Sequence, residues 1–198
     1  MHAIHTTSGL IIDSRPSGEA GKVFSIFTRD FGLVTAAAQG IRLEKSKLRP
    51  FTQDYSFGTF SLVRGREIWR LTSAQGIDAN SQVMRMTRIQ SGDLLVRLAS
   101  LLKRLLQGEE AHPRLFAIVE SCALFIEENQ DLNEEQLHTL ESLTVVRMLH
   151  ELGYIGDITD LNGHVQSAEL SIESLDALKG KRTLMNRHIN AALRESHL

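Results

Sequence analysis

Short apolar runs separated by turn residues open the chain. Leu10-Ile11-Ile12 is the centre of a first strand over 3–14. Pro16–Gly21 reads as a loop, because proline fixes φ and glycine permits positive φ. Val23–Thr28 is apolar on both faces, as in a strand packed on a core and covered by a flanking segment. Arg29–Gly32 forms a turn, and Leu33–Gln39 is a third strand with Ala36-Ala37-Ala38 where packing is close. A fourth covers 52–63. There Tyr55 and Phe57 take odd positions and Phe60 and Leu62 even ones, so the phase flips at Gly58, which predicts a bulge with positive φ that bends the strand round a barrel corner. Arg64-Gly65-Arg66 turns the chain into a fifth strand, Glu67–Gln75, with Trp69 and Leu71 on one face. Five short strands with an irregular stretch between the third and fourth fit an OB-fold barrel, with a small SH3-like barrel as the alternative and the strand order left open.

After a turn at Asp78–Ser81 the period becomes helical. Ser81 is a plausible N-cap, and Gly92 interrupts an early stretch holding Val83, Met86 and Ile89. Leu94, Leu95, Leu98, Leu101, Leu102 and Leu105 form one stripe. Pro113 suits a first helical position, with Phe116, Val119, Cys122, Ala123 and Ile126 behind it. Asn133 with Gln136 predicts a capping box opening a helix that carries Leu137, Leu140, Thr144, Met148 and Leu152 and stops at Gly153. A last helix starts near Thr183 and carries Met185, Ile189, Ala192 and Leu193. The expected fold is α+β: a five-stranded barrel over 1–78 and a helical domain over 79–198.

Composition confirms a globular chain and little else: 198 residues, 42% hydrophobic, 23% charged, only 3 Pro. No run is long and apolar enough for a membrane span, and the first residues lack the features of a secretory signal. One cysteine excludes an intrachain disulfide framework and a four-cysteine zinc site, so a reducing cytoplasm is the expected compartment. The formal net charge of -2 conceals an asymmetry: residues 1–75 carry 10 Lys/Arg against 6 Asp/Glu (+4), and the remainder 12 against 18 (-6). Only the first part would attract a polyanion.

Catalytic motifs are missing. Gly18–Lys22 resembles the end of a phosphate-binding loop, but Pro16 stands where the first glycine is needed and Val23 where the hydroxyl is needed. There is no G-x-S-x-G elbow. His150-Glu151 has Tyr154 in place of a second histidine, and His164 has no cysteine nearby, so neither predicts a metal site. Cys122 lies on an apolar stripe and reads as a buried, inert thiol. Glu109-Glu110 and Glu127-Glu128 read as solvated charge, as do the seven acids between Arg114 and Arg147. No catalytic residue, metal or cofactor is expected.

What remains is basic. Arg42, Lys45, Lys47 and Arg49 fall within eight residues opposed only by Glu44, in the connection that an OB-fold sets beside its binding face. Arg64, Arg66 and Arg70 flank the hairpin of the last two strands and could extend the track. Single strands are held by basic grooves with aromatic platforms, and Tyr55, Phe57, Phe60 and Trp69 lie on these strands, one or two of them free to face outward.

The ordered set Gly9–Ile12, Arg15-Pro16, Gly18-Glu19, Val23–Phe27 and Thr28–Leu33, followed by Ala38–Arg42, Lys45–Arg49, Phe51 and Arg64–Arg66, resembles the opening of the bacterial recombination mediator family RecO. Leu152-Gly153-Tyr154 matches as well, and the resemblance thins across the helical part. It implies an OB-fold followed by helices and a non-enzymatic role in the cytoplasm, at the nucleoid. Such proteins bind single- and double-stranded DNA, anneal complementary strands and, with RecR, help RecA displace the single-stranded-DNA-binding protein. The resemblance makes Arg42, Lys45, Lys47, Arg49, Arg64 and Arg66 the DNA contacts. It also implies a helical-domain pocket for the acidic, apolar tail of the single-stranded-DNA-binding protein, beside Arg97, Lys103, Arg104 or Arg147. Many relatives carry a C-x-x-C zinc knuckle after the Leu-Gly-Tyr; Leu161 and His164 stand at those places, so Ile155–Ala168 becomes a plain loop. The competing expectation is a protein–protein scaffold whose basic loop is merely solvated.

Overall fold

The structure, a computed structural model, describes residues 3–76, 89–156, 158–167 and 169–195. Five strands, β1 (Ile4–Ser17), β2 (Gly21–Thr28), β3 (Gly32–Ala38), β4 (Phe57–Val63) and β5 (Trp69–Gln75), close into a barrel in the order β1-β2-β3-β5-β4. All neighbours are antiparallel except β3 and β5, which meet in parallel at Ala36↔Trp69 and Ala37↔Arg70. That order is the OB-fold's and decides against the SH3-like alternative. Alternate side chains fill the barrel: Phe24 and Ile26, Val34, Ala36 and Ala38, Phe60 and Leu62, Trp69 and Leu71. The small Ala36 lies opposite the large Phe24, which keeps the interior filled without overpacking.

β1 is long because it pairs with β4 through its first half and with β2 through its second. It continues through Pro16 and Ser17, so the loop expected from Pro16 shrinks to Gly18–Ala20. The bends sit at Ile12 in β1 and Thr72 in β5, the extra residue at each register shift. The bulge expected at Gly58 is not there. Gly58 pairs in register with Gly9 and is not among the positive-φ glycines. Its glycine is required for another reason: a Cβ would lie 2.5 Å from the Gln75 carbonyl oxygen of β5.

The helices are α1 (Ile89–Leu105), α2 (Pro113–Glu128), α3 (Glu134–Glu151), α4 (Asn162–Val165), α5 (Ile172–Leu178) and α6 (Arg182–Glu195). Barrel first and helices after it make the α+β arrangement expected. The expected boundary at 78/79 lies outside the described residues, as do Ser81, Val83 and Met86. Gly92 does not interrupt the helix, which runs through it. Residues 99–113 belong to the compact unit of the barrel, whereas 89–98 and 114–195 form the second unit. In the barrel unit, the Leu33 amide donates to the Gly108 carbonyl (3.2 Å).

In the helical unit the Asn133–Gln136 capping box opens α3, and Gly153, at φ 77, follows its end. Its core holds Phe116, Val119 and Cys122 from α2, Leu140, Leu143 and Met148 from α3, and Met185 from α6. Ile155–Ala168 is not a plain loop, since α4 lies within it. Among the described residues no helix is long and apolar enough to cross a membrane.

Candidate nucleic-acid interface

The β3–β4 connection is a succession of hydrogen-bonded turns. Leu43 N donates to Gly40 O (3.2 Å), Ser46 N to Leu43 O (3.0 Å) and Phe51 N to Leu48 O (3.0 Å). Arg42 N donates to Ala20 O in the β1–β2 turn (3.0 Å), fixing the loop to that rim of the barrel. Ile41 belongs to the barrel core, and Leu48 and Phe51 pack against it. Apolar anchors thus alternate with cations, and Arg42, Lys45, Lys47 and Arg49 are all exposed. Between loop and barrel lies a cleft of about 380 Å³ lined by Lys22, Arg42, Arg49, Thr52, Gln53 and Asp54.

Lys22 is a cation the sequence reading left out. Its ammonium donates to Ser14 Oγ (3.3 Å) and stands 5.9 Å from the Phe24 ring centroid. Register opposite Ala38 carries it to the start of the loop. Lys22 thus joins the four loop cations at this rim, where Arg15 near the end of β1 adds positive charge and Glu19, Glu44 and Asp54 oppose it.

Arg64 and Arg66 do not extend this track. Ile4 pairs with Val63, and the His5 ring packs edge-on against Phe31 and Trp69, so the β4–β5 hairpin lies at the rim holding the start of β1 and the β2–β3 turn. That is the opposite rim from the β1–β2 turn. Arg64 is also engaged: it forms an ion pair with Glu109 and stands 4.8 Å over the Trp69 ring. Trp69 Nε1 donates to the same carboxylate (3.0 Å). Arg66 and Arg70 are exposed. The expected aromatic platform is reduced, because Phe57, Phe60 and Trp69 are buried and only Tyr55 keeps part of its surface outside.

The four candidate partner cations do not all belong to the helical unit: Lys103 and Arg104 fall in the barrel unit, Arg97 and Arg147 in the second. Arg97 makes a two-pronged pair with Glu141 (2.5 and 2.8 Å). Lys103 pairs with Asp13 in the barrel unit (2.7 Å) and, by donating that hydrogen bond, holds the Asp13 carboxyl below the usual carboxylate range. Arg104 is exposed on α1. Arg147 is 4% exposed; its Nε donates to His164 O (2.9 Å) and its Nη2 to Glu169 O (3.0 Å). Burial brings its pKa down to about 10. Arg147 also borders a groove of about 420 Å³ with Arg114, Ile118, His150, Val165 and the acidic Glu151. Arg114 is a second cation there that the sequence reading passed over.

Cys122 is fully buried, and burial pushes its thiol up to about 12, so it packs as an apolar group. Of the two knuckle positions, Leu161 is buried and has no donor atom, and His164 offers its carbonyl to Arg147. These residues do not fit zinc. Among the described residues no group of three or more His, Cys, Asp or Glu is placed to hold a metal.

Residues 1–80 match the family model described as "Recombination protein O N terminal". Three similar curated proteins are each named DNA repair protein RecO. That of Rubrobacter xylanophilus is 32% identical over 90 residues, 45% of this chain and 36% of its own. That of Halalkalibacterium halodurans is 24% identical over 127 residues, 64% and 49%. That of Clostridium perfringens is 29% identical over 124 residues, 63% and 50%. The match thus spans half or less of the length of each of these relatives.

Proposed function

We propose that the chain, whose residues 1–80 match the RecO N-terminal family model, is a non-enzymatic, DNA-binding mediator of recombinational repair. It binds single- and double-stranded DNA, anneals complementary strands and assists RecA loading on DNA coated by single-stranded-DNA-binding protein, acting with RecR in the cytoplasm at the nucleoid. The observation that carries this reading is the rim bordered by Lys22, Arg42, Lys45, Lys47 and Arg49, with a cleft between loop and barrel. The cations there neutralise phosphate, a contact that carries no sequence information and suits a protein that must accept every sequence. Annealing brings two polyanions together, and exposed cations offset that repulsion. Arg66 gives the opposite rim a lesser cation for a second strand, while Arg64 is held by Glu109.

On the helical unit, the groove beside Arg114 and Arg147 suits an acidic, apolar peptide such as the tail of the single-stranded-DNA-binding protein. The test is annealing of complementary oligonucleotides, bare and coated with that protein. The reading expects faster annealing in both states, with strand binding that weakens as salt rises. Salt-independent binding, or no acceleration of bare strands, would favour a protein scaffold instead. A tail peptide should shift NMR signals of Ile118 and Val165; no shift at high micromolar peptide removes the groove from the proposal.

A further inference from the structure

Of the large apolar residues of the cationic loop, Leu43 is the exposed one. Ile41, Leu48 and Phe51 pack on the barrel, whereas Leu43 is 58% exposed. Two turns present it, because its N–H donates to Gly40 O and its carbonyl accepts from Ser46 N. Gly40 sits at φ 67, a conformation that suits glycine, and a Cβ there would lie 3.6 Å from Leu43 Cδ1. The side chain therefore leans over its own turn, with Arg42 before it and Lys45 and Lys47 after it. Single strands are gripped by aromatic side chains against base faces as well as by cations on phosphate, and an exposed leucine offers a smaller apolar surface of the same kind. Phe57, Phe60 and Trp69 are buried and cannot supply that surface, and Tyr55 is only partly exposed.

We propose that Leu43 is the apolar contact on which unstacked bases rest, so that this loop favours single strands over duplex. The inference rests on the reading of the loop as a nucleic-acid interface. In a duplex the base faces are covered by their neighbours. Phosphates remain available to Arg42, Lys45, Lys47 and Arg49, but Leu43 loses its partner.

The test uses the full chain, an oligothymidylate and a duplex of equal length. Leu43→Ala should weaken single-strand binding by roughly three- to tenfold, below the loss of a stacked aromatic, and leave the duplex within about twofold. The salt slope should not change, since no charge is removed. Leu43→Met should keep wild-type binding, and Leu43→Trp should bind the single strand at least as tightly, its added fluorescence quenched by that strand and not by the duplex. Equal losses on both substrates, or no loss on either, would overturn the proposal. So would an effect of Leu43→Ala confined to binding of phosphatidylglycerol vesicles, because the exposed leucine would then serve a lipid surface. A Lys45/Lys47/Arg49 alanine variant run in parallel separates the failures. If it binds as wild type, the loop reading itself is wrong; if it loses binding while Leu43→Ala does not, only the leucine's role is wrong.

Discussion

Removing Lys45, Lys47 and Arg49 together is the sharpest test of where strands bind. All three are exposed on a loop whose packing depends on Ile41, Leu48 and Phe51, so alanine at each should change stability by about 0.5 kcal/mol or less. Each phosphate neutralised on a single strand contributes roughly -0.7 to the slope of log K against log salt, so losing three contacts lowers the slope by about 2. Carried to about 0.1 M salt the same term gives roughly a hundredfold weaker binding, and by about 1 M the variant and wild type converge. The assay is fluorescence-anisotropy titration with oligothymidylate at several salt concentrations, beside a denaturation curve for each protein. Arg64→Ala is the contrast. Arg64 pairs with Glu109 and covers Trp69 on the other rim, so its loss should cost about 0.5–1 kcal/mol of stability and leave the salt slope nearly unchanged. A triple variant with wild-type affinity and slope, or an Arg64 variant with the larger slope change, would refute the assignment of the binding rim.

Gly58→Ala and Gly58→Val should destabilise alike, by about 1–3 kcal/mol, because the clash with Gln75 O arises at Cβ; a denaturation midpoint that falls only for valine would implicate branching instead. Arg147→Ala should cost about 2–3 kcal/mol and speed amide exchange around Leu161–Ser171, since two charge-assisted bonds to His164 and Glu169 carbonyls are lost. Arg147→Lys should not restore either property, because a single ammonium cannot reproduce the fork. The Asp13 carboxyl titrates lower in the folded than in the unfolded state. Its contribution is therefore present above the unfolded value, about pH 4, and is lost as pH falls through the folded one. With both partners about half exposed it amounts to about 0.5 kcal/mol or less. Asp13→Asn should lower Tm slightly at pH 7 and not at pH 2, and a deficit that persists at pH 2 would contradict this.

Local signals were legible in the sequence and relational ones were not. The Asn133–Gln136 box and the stop at Gly153 depend on residues a few positions apart, and both stand where the sequence puts them. The phase flip at Gly58 was misread because parity along one strand says nothing about the carbonyl of the strand beside it. α5 escaped notice because it is short and only Leu175 and Leu178 are buried on it, although Ser171 and Ser174 form a capping box of their own. Arg147 carried a signal that went unused: it lies one heptad beyond Leu140 and three residues beyond Thr144, on the stripe that packs inward. A cation at such a position needs carbonyl partners, and it finds them 17 and 22 residues along the chain.

The same limit governs the interface. Counting cations marks 42–49 and 64–70 as basic, and their nearness in sequence invites a single track. Strand register separates Arg64 and Arg66 from the loop, whereas Arg70, opposite Ala37, lies beside the end of β3 that leads into it. β1 runs from Ile4, beside the hairpin, to Ser17, beside the turn that holds Arg42. One group therefore gathers Lys22, which no charge run announces, and the other meets Glu109. An exposed cation already paired with a carboxylate must break that pair before it serves a phosphate, and the break offsets much of the new attraction. Hence the two rims are unequal, and a strand sharing its charge between them would lie first along the loop, where among the described residues no carboxylate pairs with Lys45 or Lys47.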